Sequence, residues 1–121
     1  MSPPDSPEQL LRLAYDAFNA RDIEGALALM HADVDWPNAM EGRREHGHDS
    51  VREYWTRQFG LIDSHVEPVA FSEDDEGRIV VDVHQVVRAT AGEVISDRIV
   101  QHVYTLRAGL IERMDVRDPG G

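Results

Sequence analysis

The chain contains no cysteine and no lysine, and it has no long hydrophobic run. The lack of cysteine excludes disulfide bonds, thiolate chemistry and cysteine-ligated zinc. All 12 basic residues are arginine, which excludes a lysine Schiff base. No apolar stretch approaches the roughly 20 residues that a membrane-spanning helix needs. The first residues, MSPPDSPEQ, lack the basic and apolar regions of a signal peptide, so a cytoplasmic protein is expected.

Basic residues are also few, since 12 of them face 23 acidic residues and give a net charge of −11. Such a surface repels nucleic acid and anionic membranes, so neither is an expected partner. The length of 121 residues and the hydrophobic fraction of 41% are typical of one globular domain. We therefore predict a single domain over residues 1–121, with a flexible lead-in at residues 1–5.

Two helices are predicted at the start of the chain. Ser6 is an N-cap candidate, followed by Pro7 at the first helical position and Gln9 at the capping-box position. Asp22 can cap a second helix, which is expected to end near His31. The apolar residues of the first helix recur at helical spacing and predict one buried stripe: Leu10, Leu11, Ala14, Ala17 and Phe18.

A short strand, a turn and a third helix are predicted next. Val34 and Trp36 alternate up to a proline, and a polar segment with two glycines follows over residues 38–47. Asp49 or Ser50 is expected to cap the third helix. From residue 65 onward the apolar pattern has period two, which predicts four strands joined by hairpin turns near 65–72, 78–89, 94–106 and 110–117.

Two of these strands carry further information. Pro68 has no N–H to donate, which places the first of the four strands at a sheet edge or at a bulge. The strand at 78–89 has apolar residues on both faces, whereas a sheet with one face in water alternates more cleanly. We therefore expect helices to cover one face, and a second copy of the chain to cover the other as a homodimer.

Three segments carry a family resemblance. NARDIEGALALMHADVDW, EGRREHGHDSVREYW and HVYTLRAGLIERMDVRD resemble the SnoaL-like branch of the NTF2-like superfamily, which includes ketosteroid isomerases, polyketide cyclases and limonene epoxide hydrolases. The resemblance covers about residues 7–118. It implies an α+β, cystatin-like conical half-barrel, with three N-terminal helices packed on a strongly curved, mostly antiparallel sheet. It also implies a dimer and an apolar pocket between sheet and helices.

The ketosteroid isomerase site does not carry over. In a gapless comparison, the position of the general-base aspartate falls on Asn38, that of the oxyanion-binding tyrosine on Ala14, and that of its aspartate partner on Gln101. Tyr15 is the neighbour of Ala14, about 100° away around the helix. Steroid isomerisation by that set of residues is therefore rejected. The Arg/Asp arrangement of the epoxide hydrolases is not obviously reproduced either.

Asp82 and His84 are the candidate catalytic pair. Residues two apart on a strand point to the same face, and the resemblance implies that this face lines the pocket. A carboxylate beside an imidazole raises its basicity, which suits acid–base chemistry near neutral pH. The alternative is that Asp82 belongs to a surface ion pair and His84 merely fills space.

The candidate substrate-binding residues are two amides and a set of apolar walls. Asn38 and Gln101 can hydrogen bond a carbonyl or hydroxyl without supplying a proton, or else they form ordinary internal hydrogen bonds. The predicted walls are either pocket or core residues: Trp36, Trp55, Tyr15, Val86, Met114 and Val116.

No metal or cofactor is expected. His46 and His48 form a His-x-His pattern, but no second ligand pair follows at a recognisable spacing. The acidic run at residues 73–76 is a hairpin turn rather than a calcium loop. The chain has no P-loop, dinucleotide fingerprint or nucleophile elbow.

The sequence thus predicts a protein that binds a small, largely apolar molecule in a conical pocket. Cofactor-free acid–base chemistry of the isomerase, cyclase or dehydratase type is one hypothesis. The alternative is a non-catalytic module, which either binds a ligand without changing it or serves dimerisation with a pocket filled by side chains.

Overall fold

The computed structural model describes residues 6–38 and 41–117. Three helices pack on a six-stranded sheet that is curved, mostly antiparallel and unclosed, so the α+β prediction is confirmed. The third helix follows two strands, and the helices are therefore not all N-terminal. The elements are α1 (Pro7–Asn19), α2 (Ile23–Leu27), β1 (Met30–Asn38), β2 (Arg43–His46), α3 (Gly47–Leu61), β3 (Ile62–Glu73), β4 (Ile79–Ala89), β5 (Val94–Arg107) and β6 (Leu110–Arg117). The predicted lead-in at residues 1–5 lies outside the described residues.

The first two helices begin where their caps predict. The Ser6 hydroxyl accepts a hydrogen bond from the Gln9 N–H at 3.1 Å, and the Asp22 carboxylate accepts one from the Gly25 N–H at 2.9 Å. The prediction that α2 continues to His31 is wrong, because β1 already begins at Met30 and pairs with β6. Tertiary pairing here overrides a helical apolar pattern.

The start of α3 differs from the prediction. The helix begins at Gly47 and not behind Asp49 or Ser50, and the Ser50 hydroxyl donates a 2.5 Å hydrogen bond to the Glu45 carboxylate. Glu45 belongs to β2, a strand that the sequence analysis assigned to a polar turn. Its four residues are all polar, so they carry no apolar alternation, and the strand forms by pairing with the end of β1.

The sheet order is β2-β1-β6-β5-β4-β3, in which β1 and β6 are parallel and all other neighbours antiparallel. The prediction for Pro68 is confirmed in both respects. Its strand, β3, lies at the edge of the sheet, and the register with β4 shifts between Pro68 and Ala70.

The two faces of the sheet differ in their contacts. We call the face that packs against the helices the inner face and the opposite one the outer face. Val81, Val83 and Val100 are fully buried members of the core and lie on the inner face. Side chains alternate between the two faces along a strand. Asp82 and His84, which are next to Val81 and Val83 on β4, therefore lie on the outer face.

Candidate functional site

A cavity of about 120 Å³ lies between the inner face and the helices. Helices α1, α2 and α3 provide part of its wall, and strands β1, β3, β4, β5 and β6 provide the rest. Val116 lines the cavity and is 46% exposed, so this residue lies where the cavity meets solvent. The volume is below the roughly 300–1,000 Å³ of drug-sized sites, yet the cavity is not filled.

Aromatic rings form the apolar wall. The centroids of Trp36 and Trp55 are 5.4 Å apart with an interplanar angle of 85°, and those of Phe18 and Trp55 are 5.7 Å apart at 74°. Both are edge-to-face contacts, an arrangement that aromatic quadrupoles favour. Trp55 is only 2% exposed, so its ring is held from several sides.

A chain of three buried polar side chains ends at the cavity. The Tyr104 hydroxyl donates to the Tyr15 oxygen at 2.8 Å, and the Tyr15 oxygen lies 2.9 Å from Nδ1 of His102. Since Tyr15 already accepts from Tyr104, its own proton is free to point at Nδ1. The imidazole then carries its proton on Nε2, which has no partner within residues 6–38 and 41–117.

Burial fixes the protonation state of this chain. Desolvation lowers the pKa of His102 to about 4, so the imidazole is neutral at pH 7. Burial, followed by the neighbouring Tyr104, raises the pKa of Tyr15 well above its usual range, and burial also raises that of Tyr104. All three groups are therefore uncharged near neutral pH.

Gln58, on α3, adds a second polar group to the lining. Its Oε1 atom is buried and has no hydrogen-bond partner among the described residues. Buried polar atoms in native proteins nearly always have a partner, so an orphaned one calls for an explanation.

The structure places five of the ten predicted site residues in the cavity wall. These are Tyr15, Trp36, Trp55, Met114 and Val116. Their contact with a ligand stays a prediction. In the described part of the chain, no group of three or more His, Asp or Glu side chains is arranged to hold a metal ion.

The prediction that Asp82 and His84 line the pocket is wrong. His84 is bonded through Nε2 to the Asp97 carboxylate at 2.6 Å, and its side chain is 43% exposed. Asp82 accepts a 2.8 Å hydrogen bond from the Gln101 amide instead of contacting His84. The reason is strand parity, because the inner face of β4 carries Val81, Val83 and Gln85.

The other three predicted residues also lie outside the cavity. Gln101 is on the outer face of β5, where its Oε1 accepts from Arg117 at 2.8 Å, and Val86 shares the outer face of β4 with His84. Asn38 is on the inner side, but its amide nitrogen donates to Glu45 at 2.7 Å and to Glu41 at 3.2 Å. Its hydrogen-bonding capacity is therefore used inside the protein.

Sequence reasoning missed three functional candidates, namely His102, Tyr104 and Gln58. The first two occupy the inner face of β5, where His102 directly follows the predicted Gln101 and Tyr104 lies two residues further on. A His-x-Tyr pair at strand spacing was the available signal. No sequence signal marks Gln58, because its orphaned atom depends on what surrounds α3.

No helix in the described part of the chain is both long and apolar enough to cross a membrane.

Comparison with known proteins gives one consistent family. The family model described as a SnoaL-like domain matches residues 11–114. An NTF2-like protein of unknown function from Burkholderia pseudomallei is 30% identical, with a TM-score of 0.79 over 92% of this chain and 88% of that one. The structure of TerC co-crystallized with polyporic acid is 29% identical, with a TM-score of 0.77 over 89% and 87%.

A third structure shows the fold alone. A putative polyketide cyclase from Sinorhizobium meliloti is 18% identical, with a TM-score of 0.77 over 93% of this chain and 96% of that one. None of the proteins with curated descriptions matches the chain.

Proposed function

Because the chain belongs to the SnoaL-like family, we propose that its cavity binds a small, largely apolar molecule and that His102 polarises a carbonyl oxygen of this molecule. The observation that carries the proposal is the hydrogen-bond chain from Tyr104 through Tyr15 to His102, which ends at a free nitrogen in an aromatic cavity. The similar TerC structure, co-crystallized with polyporic acid, supports binding of a small molecule. We also infer that the sheet and the helices enclose the cavity as a conical half-barrel, as in the family.

The chain of hydrogen bonds from Tyr104 through Tyr15 makes the Nε2–H group of His102 a stronger donor. Tyr104 donates to Tyr15, which makes the Tyr15 hydroxyl a better donor, and its bond to Nδ1 withdraws electron density from the imidazole. A more acidic Nε2–H stabilises negative charge as it develops on a carbonyl oxygen. The neutral state of His102 keeps this group a hydrogen-bond donor without a formal charge.

Polarisation does not require the tyrosines to give up protons. The raised pKa values of Tyr15 and Tyr104 hold both hydroxyls protonated, so the chain acts through its hydrogen bonds. With its carbonyl polarised, the molecule enolises or cyclises more readily, and no cofactor is needed. This is cofactor-free chemistry of the isomerase or cyclase type.

One observation favours a non-catalytic alternative. The described residues that line the cavity include no carboxylate, and His102 presents a donor rather than a base. A proton leaving carbon would therefore have to pass to water at the mouth or to another atom of the same molecule. In this alternative the protein binds the molecule and leaves it unchanged.

Cyclohexanone labelled with ¹³C at the carbonyl separates these cases. We expect the infrared carbonyl band to move to lower wavenumber on binding, because the Nε2–H bond weakens the C=O bond. The shift should disappear in His102→Phe and decrease in Tyr15→Phe. Tyr54→Phe is the matched control, since Tyr54 lines the cavity but lies outside the chain of hydrogen bonds.

The same probe reports catalysis. In D₂O, exchange of the α-hydrogens faster than in buffer, followed by NMR, would favour catalysis. A shifted carbonyl band with exchange at the buffer rate would favour the binding module. Absence of any band shift in the wild-type protein would contradict the polarisation proposal.

We also propose that the chain forms a homodimer through the outer face of its sheet. Ile99 is on this face and 45% exposed. Around it lie the pair His84–Asp97 and the polar chain from Asp82 through Gln101 to Arg117. Groups of both charges beside an apolar residue suit a two-fold interface, in which the same patch meets itself.

Ile99→Arg should convert the dimer to a monomer. Two arginines would meet across the two-fold axis, and desolvating them costs more than the interface gains. Light scattering during gel filtration should give twice the 13.6 kDa chain mass for the wild type and once that mass for the variant. Leu13→Arg, on α1, is the control and should stay dimeric; a monomeric wild type would refute the proposal.

A further inference from the structure

The cavity contains one polar group that carbonyl polarisation leaves unused, the side-chain amide of Gln58. Gln58 lies in the cavity wall, and its Oε1 is buried and has no partner among the described residues. The amide nitrogen forms no hydrogen bond with these residues either. Buried polar groups nearly always have a partner, and a molecule in the cavity beside Gln58 can supply one.

The partner that suits this amide is a hydroxyl group. A hydroxyl donates to Oε1, and it accepts from the amide nitrogen if the amide is rotated by half a turn. The requirement thus holds for either orientation of the Gln58 side chain. A carbonyl or an ether oxygen would serve only one of the two orientations.

The volume and the wall limit the rest of the molecule. A cavity of about 120 Å³ is slightly smaller than the roughly 150 Å³ cavity that holds one benzene molecule in an engineered protein. Trp36 and Trp55, at right angles, offer both a ring face and a ring edge to a planar guest. One six-membered ring fits, and any larger substituent extends toward Val116 at the mouth.

The lining of the cavity favours a molecule without a formal charge. Among the described residues that line the cavity, none is arginine, aspartate or glutamate, and His102 is neutral. An anion would lose its hydration without gaining a cation, and the net charge of −11 would repel it as well.

We propose that the ligand is a neutral single-ring compound with a hydroxyl group, and that Gln58 is the residue that recognises this hydroxyl. This inference rests on the function proposed above, in which the cavity is a small-molecule site. Phenolic and enolic rings belong to this class.

Phenol and toluene test the inference, since they have the same size and differ by a hydroxyl in place of a methyl group. Dissociation constants of both are measured for the wild type, for Gln58→Met, which keeps the length of the side chain, and for Gln58→Leu. We expect the preference for phenol over toluene to fall about tenfold in both variants, as loss of one hydrogen bond predicts. Toluene affinity should stay unchanged, which also shows that the variants are folded.

Gln85→Met is the matched control, because Gln85 also lines the cavity and is buried to a similar degree, but it has no buried side-chain atom without a partner among the described residues. It should leave the phenol preference unchanged, and benzoate should bind the wild type at least tenfold more weakly than phenol.

The same preference for phenol over toluene in the wild type and the Gln58 variants would overturn the inference. Equal losses of this preference in the Gln58 and Gln85 variants, or tighter binding of benzoate than of phenol, would overturn it as well. If toluene and cyclohexanone bind in those cases, only the role of Gln58 fails. If no ring compound binds, the proposed function itself fails.

Discussion

Replacing Trp55 with alanine should lower the free energy of unfolding by about 3 to 5 kcal/mol. The indole ring is 2% exposed and packs against Trp36, Phe18 and Phe59, so its removal leaves a void that these neighbours only partly fill. A domain of this size has a total stability of only about 5–15 kcal/mol. Urea unfolding at pH 7 and 25 °C measures the difference.

Leu61 provides the matched control for Trp55. It lies at the end of the same helix and is 61% exposed, so Leu61→Ala should change stability by less than about 0.5 kcal/mol. A loss below about 1 kcal/mol for Trp55→Ala would mean that this ring is not packed between α1, α3 and β1.

Acidification should destabilise the protein through His102. Burial lowers the pKa of His102 to about 4 from the ordinary value of 6.5, so the unfolded chain binds a proton at a higher pH than the folded chain does. This contribution to stability is complete above pH 6.5 and is lost as the pH falls from 6.5 toward 4. At pH 4 the loss amounts to about 3 kcal/mol relative to pH 7.

Carboxylates also titrate near pH 4, so a variant must isolate the histidine. His102→Gln keeps an acceptor for the Tyr15 hydroxyl and removes the titrating group. The stability difference between wild type and variant, measured by urea unfolding from pH 7 to pH 4, should shift by about 3 kcal/mol against the wild type. A difference that does not change with pH would show that His102 is not buried as a neutral group.

Local signals in the sequence were enough to predict much of the fold. The Ser6 and Asp22 caps, the period-two strands and the edge position of Pro68 each follow from chemistry within a few residues. The length of α2 and the existence of β2 do not. Both are decided by strand pairing. The start of β1 pairs with β6, which ends α2 early, and the end of β1 pairs with the fully polar segment that becomes β2.

The polar part of the candidate site was mispredicted for a physical reason. Asp82, His84 and Gln101 are each one residue away from a residue of the inner face, and a shift of one along a strand reverses the face. The gapless family comparison therefore selected Gln101 where His102 points inward. On α1 it selected Ala14, whereas the adjacent Tyr15 carries the hydroxyl of the hydrogen-bond chain.

The apolar part of the site was easier to predict. Trp36, Trp55 and Met114 are large apolar side chains that the core buries or half-buries, whereas the smaller Val86 was wrongly assigned to the wall by the same error of strand face. How much space they leave is a matter of packing, which no local pattern determines. The cavity of about 120 Å³ is the result of that packing.

The most direct measurement is the tryptophan fluorescence of the wild-type protein during a titration with phenol. The chain has two tryptophans, and both line the cavity, so a guest there alters their surroundings. The account predicts a saturable change with one phenol per chain, which competes with cyclohexanone. A change that grows linearly with phenol and ignores cyclohexanone, as free tryptophan would show, would contradict it.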